Sequence, residues 1–269
     1  MVAPAAPPRL KNPWWMPPFL GNVPEEITPH QLRLLGFIAL ALLFENYDLS
    51  MLGSAMKFIR ESFGLEQAAA GQLTAYVRLG AIPAFFVIPF VDRLGRRRVF
   101  LTAVIGMSLG TLATAFTQTE WQFIATQMVS RTFLTTAAAT AFVIVSEELP
   151  AARRGWGVGM LAALGAFGFG LGAILFAMID RLPYGWRALY VIGVVPLLLV
   201  PAFRREIRET ERFVRQDVGG VGGMRGWLAP ILGIVRDHPG RALALAVVGF
   251  FSSAGQAPPL QLMGDYLLT

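Results

Sequence analysis

Four charged residues sit in runs that are otherwise apolar. Glu45 and Asp48 stand three apart in one run, and Arg78 and Arg131 lie in two others. A charge at the centre of a bilayer costs from about 2.5 to over 10 kcal/mol, so each must face the protein interior and find a partner. Residues three apart share one helix face, which puts both acids on the same side. At a rise of about 1.5 Å per residue, Asp48 and Arg78 lie roughly 10 Å from the outer ends of their runs, and Glu45 and Arg131 roughly 15 Å. The spacing therefore predicts depth-matched pairs of opposite charge. A neighbouring cation favours the ionised acid and desolvation the neutral one. A carboxyl group held between those effects, and exposed to either side in turn, can load and release a proton. Fixed ion pairs that merely join helices are the plainer alternative.

The apolar runs have the length of membrane helices. Spans are expected over 33–56, 72–91, 99–116, 121–149, 156–179 and 186–203, with a polar connection over 204–241 and a seventh span within 242–269. Residues 1–32 form a tail with seven prolines among its first 24 positions, too many for a helix. Trp14 and Trp15 in that tail suit a membrane interface. Of the 23 Lys and Arg residues, 17 fall on the side of the tail and the 92–98 loop, four on the other side and two inside spans. That bias puts the tail in the cytoplasm. Glycines 165, 168 and 172 on the fifth span have the spacing that lets membrane helices approach closely.

Composition excludes several classes. The chain is 55% hydrophobic and 15% charged, against about 25% charged in soluble domains. Its net charge of +6 comes from arginines in loops on one membrane side, which argues against a nucleic-acid partner. Cysteine is absent, which removes disulfides, thiolate metal sites and cysteine nucleophiles. His30 and His238 both fall outside the spans, leaving no metal, haem or histidine catalysis within the membrane. No phosphate loop is present. An enzyme is not expected, and no cofactor is expected beyond a proton as coupling ion. The only lysines, Lys11 and Lys57, lie off the last span, which disfavours a retinal protein but leaves open a seven-helix receptor or sensor.

The loop at Asp92-Arg93-x-Gly95-Arg96-Arg97 resembles the signature between the second and third helices of the major facilitator superfamily of secondary transporters. FENYDLSMLG at 44–53 resembles the first helix of its proton-coupled sugar and metabolite symporters, with Asp48 at the position of the coupling acid. Arg131 matches the family's fourth-helix arginine, Glu147-x-x-Pro150 with Arg154-Gly155 its fourth-helix end, and ETERF at 209–213 its box after helix six. Ile88 stands where the signature carries a glycine, and Glu211 where sugar porters carry proline.

The resemblance implies an all-α integral membrane fold: the six-helix N-terminal bundle of that superfamily plus a seventh helix, truncated before the rest of the second half. It implies a small-molecule substrate, a lipid bilayer setting in the cytoplasmic membrane, and a missing half needed for transport. Alternating access with proton symport of a small organic acid or sugar is the expected activity, and efflux of a drug or metabolite is the alternative within the family. Asp48, Glu45 and Arg131 are the expected coupling residues. Arg78, Tyr47, Gln72, Tyr76, Gln127 and Thr135 are candidates for the substrate cavity. Asp92, Arg93, Gly95, Arg96, Arg97, Glu147 and Arg154 are the expected cytoplasmic gate, which in the family is an ion-pair cluster that opens in each cycle.

Overall fold

The computed structural model describes residues 10–88, 91–207, 233, 236–244, 247, 248 and 251, with backbone alone at 92 and 93. The expected 209–213 box, most of the 204–241 connection and most of the seventh span lie outside the described residues. Within the described part the chain is helical and connected by turns.

The first helix, α1 (Pro29–Ser54), starts four residues before the expected span. Thr28 explains the difference: its hydroxyl accepts from the Gln31 amide while the Gln31 side chain accepts from the Thr28 amide, and Pro29 needs no donor at the first position. The Gln31 side-chain Nε2 donates to the Glu148 carbonyl at 2.6 Å, joining the start of α1 to the end of the fourth expected span. The tail before α1 is irregular apart from a single-turn 3-10 helix at Pro18–Leu20 and a few hydrogen-bonded turns, yet it is packed. Asn12 closes it into a loop through Gly21 and Val23, and Met16, Val23 and Ile27 are buried in the core. Trp15 lies against Gly36, whereas Trp14 is exposed.

The helix resumes after Ala55 as α2 (Met56–Ser62), so the loop expected over 57–71 is itself half helical. The second expected span is divided into α3 (Ala69–Leu79) and α4 (Ile82–Val87). Pro83 offers no N–H to the preceding turn, and the helix breaks at Gly80 and Ala81. Thr132 donates to the Gly80 carbonyl at 2.6 Å and satisfies a group that the break would strand. The short α5 (Val91–Leu94) follows. Gly95 then turns the chain at φ +90°, a conformation that favours glycine, and α6 (Arg96–Ala115) begins at once. α7 (Glu120–Glu148) and α8 (Arg154–Phe176) fall within three residues of expectation. The sixth span is interrupted at Gly193 and Val194, just before Pro196, giving α9 (Trp186–Ile192) and α10 (Val195–Glu206).

Among the described residues five helical stretches are long and apolar enough to cross a membrane: Pro29–Ser54, Arg96–Ala115, Glu120–Glu148, Ala151–Phe176 and Trp186–Glu206. The second expected span is not among them because it is broken. α1 lies along α8, α6 along α7, α3 against α7, and α9 and α10 against α6. In lipid, where apolar burial between helices brings little, close backbone approach is what holds such pairs. The α8 glycines supply it. A Cβ on Gly168 would overlap the Leu43 carbonyl oxygen and lie 2.8 Å from the Tyr47 nitrogen. One on Gly172 would lie 2.6 Å from Ser50 Oγ. The core is split in two along the bundle. One part holds Phe100, Ile144 and Phe203, the other an edge-to-face cluster of Phe63, Phe123, Trp186 and Tyr190.

Candidate functional site

Asp48 is buried on α1 at 4% exposure, and Glu45, one turn away, is half-buried. Asp48 accepts its hydrogen bond from α6: Thr111 Oγ1 donates to Oδ1 at 2.8 Å. Thr111 Oγ1 also lies 3.1 Å from Ser130 Oγ on α7, and Ser130 donates to the Met107 carbonyl at 3.3 Å. The next residue on α7 is Arg131, half-buried, whose charge acts on both Asp48 and Glu45. Arg78, half-buried at the end of α3, acts in turn on Arg131.

The depth estimate thus brings four charges to one neighbourhood, but not as two separate pairs. Among the described residues neither acid forms a direct ion pair with Arg78 or Arg131. Both acids project from one face of α1, within reach of the Arg131 charge on α7.

The expected cavity residues divide. Tyr47 is fully buried and its hydroxyl donates to the Leu189 carbonyl at 2.7 Å. Gln127 is also buried, with Nε2 donating to Thr114 Oγ1 at 3.1 Å. Both side chains are engaged in joining helices. Gln72 and Tyr76 are exposed on α3, where the Tyr76 ring lies 5.9 Å from Trp121. Arg78 and Thr135 are half-buried, the accessibility that a cavity wall requires. An apolar cavity of about 510 Å³ lies elsewhere, between Trp14, Trp15, Arg33, Phe37, Leu43 and Phe167.

Thr111 and Ser130 were not among the expected residues. The sequence signal for Thr111 was the polar spacing on α6, where Ser108, Thr111 and Thr114 recur every third position on one face. Among the described residues no group of three or more His, Cys, Asp or Glu side chains could hold a metal.

At the end where α6 begins and α7 finishes, Arg96 and Glu147 form a two-point ion pair. Nε meets Oε2 and Nη2 meets Oε1, each at 3.1 Å, with side-chain exposures of 3% and 9%. Gly95, which caps α6, places Arg96 there at the first position of the helix. Arg97 donates to the Arg204 carbonyl at 2.6 Å, which ties α6 to α10. Arg154 is exposed at the first position of α8, while its neighbour Arg153 pairs with Glu26 of the tail at 3.2 Å. The side chains of Asp92 and Arg93 lie outside the described residues.

This arrangement has known relatives. The gallate transporter of Pseudomonas putida is 30% identical over 191 residues, covering 70% of this chain and 42% of that protein. Myo-inositol transporter 3C of Cryptococcus neoformans is 28% identical over 178 residues, covering 65% of this chain and 30% of its own length. The chain thus spans less than half the length of these curated relatives. The fold matches the inward-open xylose transporter XylE from E. coli with a TM-score of 0.65 at 17% identity, over 87% of this chain and 64% of that one. These relatives are transporters rather than enzymes, and the apolar helices make the chain a multi-pass membrane protein. The profile described as Major Facilitator Superfamily matches residues 38–267, most of the chain, which therefore belongs to that superfamily.

Proposed function

We propose that the chain is the N-terminal half of a secondary transporter that moves a small organic solute by alternating access, coupled to proton symport. A second half supplied beyond these residues completes the cavity, with the six-helix bundle leading into a seventh helix. The tail and the Arg96–Glu147 end face the cytoplasm, as the distribution of arginines supports.

One observation supports the reading: a carboxylate, Asp48, lies buried and hydrogen-bonded among helices of membrane-spanning length, with a second acid, Glu45, one turn away on the same helix. Ionisable groups at such depth mark ion and substrate pathways. Asp48 is the proton carrier, Glu45 its companion, and Arg131 the cation that neutralises whichever acid is charged. Arg78, with Thr135, Gln72 and Tyr76, faces the solute. Two arginines around the site suit an organic carboxylate, and the likeness to a gallate transporter points the same way, so an aromatic or other organic acid is preferred to a sugar.

The test is uptake by proteoliposomes holding the full-length transporter, offered labelled aromatic acids and sugars with and without a pH gradient. Accumulation of an acid only under an inward proton gradient, abolished by Asp48→Asn, is the expected result. Uptake indifferent to the gradient and to that substitution removes proton coupling from the proposal.

A further inference from the structure

Thr111 stands where three transmembrane elements and the α9–α10 break meet. Its hydroxyl lies between Asp48 on α1 and Ser130 on α7, and its methyl carbon occupies the space that a Cβ on Gly193 would need, 2.6 Å away. Asp48, Thr111 and Ser130 are all buried, at 4%, 3% and 0% exposure.

A hydroxyl brings one proton and two lone pairs, so in a closed chain of such groups the direction of every bond follows from the group at the end. With Asp48 ionised, Thr111 donates to its carboxylate and Ser130 can donate to Thr111. With Asp48 protonated, the carboxyl O–H donates to Thr111, Thr111 to Ser130, and Ser130 to the Met107 carbonyl. Each buried donor has an acceptor in both states. The change between them needs only rotation of two hydroxyls, and no proton leaves Thr111 or Ser130. A buried polar chain that is satisfied in one state only would oppose the other.

We propose that Thr111 and Ser130 form a reversible hydrogen-bond relay that holds the Asp48 carboxyl in place in both protonation states, with Thr111 as its positioning residue. This rests on the reading of Asp48 as the proton carrier. The other titratable and charged groups around Asp48 are Glu45 and Tyr47 on α1, Arg131 on α7 and Tyr190 on α9, with Arg78 of α3 behind Arg131. On α6 the groups facing it are hydroxyls, so Thr111 can be varied without adding or removing a charge.

Infrared difference spectroscopy of the purified full-length transporter across a pH series tests the relay. Asp48→Asn removes one carboxyl band and so assigns it. Thr111→Val, close in shape but without the hydroxyl, raises the pH midpoint of that band by about one unit, since the ionised carboxylate loses a stronger, charge-assisted bond than the neutral carboxyl does. Thr111→Ser restores the wild-type midpoint. Ser130→Ala moves the band as well, and the double variant moves it no further than Thr111→Val alone, because Ser130 acts through Thr111. Melting temperatures identify any variant that misfolds. If Thr111→Val does not fold, Ser130→Ala carries the test. A folded Thr111→Val with an unmoved band, or a Thr111→Ser that moves it as far as Val, overturns the relay. The transport assay separates the two proposals: an Asp48→Asn transporter that still follows the proton gradient removes coupling while leaving the relay to be judged by the band alone.

Discussion

Arg96 and Glu147 lie 51 residues apart in sequence and meet in a buried two-point ion pair that closes one end of the α6–α7 hairpin. Removing one partner breaks both of these charge-assisted bonds at a place nearly closed to water, at a cost of about 3 kcal/mol. Glu147→Gln is therefore expected to lower the unfolding temperature markedly in detergent. Arg153→Gln, whose partner Glu26 is 51% exposed, is expected to change stability by less than about 1 kcal/mol. If the two substitutions prove equal, the buried pair has no special role at that end.

Gly168→Ala places a methyl group against the Leu43 carbonyl and the α1 backbone, which cannot yield without separating α1 from α8. A loss of about 1–3 kcal/mol is expected, as for overpacking elsewhere. Gly170 has open space at its Cβ position, and Gly170→Ala should be neutral or slightly stabilising through helix propensity. Thermal unfolding of the pair, followed by size-exclusion chromatography, measures the contrast.

Tyr47→Phe removes the hydroxyl that ties α1 to the Leu189 carbonyl of α9 and leaves that carbonyl without its side-chain donor. About 1 kcal/mol of stability should be lost. Substrate affinity should hold, because this side chain is buried in a helix joint. A large rise in KM with stability unchanged would put Tyr47 back among the cavity residues.

Arg131→Met leaves Asp48 and Glu45 one turn apart without their shared cation and should reduce gradient-driven uptake by more than tenfold. Adding Glu45→Gln removes one of the two negative charges and should recover part of that loss. Initial rates of the four members of this double-mutant cycle measure the coupling. Strict additivity would mean that Arg131 does not balance the two acids.

The positions of α1, α6, α7 and α8 were legible because a bilayer admits only helices whose backbone is internally bonded, and apolar runs then mark them. The divisions of the second and sixth spans were overlooked, although Pro83 and Pro196 mark both. The packed tail was hidden for a different reason: Met16, Val23 and Ile27 are too few and too irregularly spaced to predict burial. Glu147 and four arginines could be assigned to one end of the bundle, yet which arginine meets Glu147 depends on the rotation of α6, which Gly95 sets. Thr111 was the hardest to find. Ser108, Thr114, Thr136 and Thr140 return their hydroxyls to carbonyls of their own helices, and nothing local distinguishes Thr111 from them. Its bond to Asp48 arises only when α1 is laid beside α6.

The bond from Gln31 to the Glu148 carbonyl also bears on how the protein is made. Synthesis runs from the N-terminus, so Gln31 must wait through 117 further residues before its acceptor leaves the ribosome. During that interval the Thr28 box alone secures the start of the helix. α1 therefore enters the membrane with a self-sufficient beginning, and the seam to α7 can be fastened only after a hairpin translated much later has been inserted beside it.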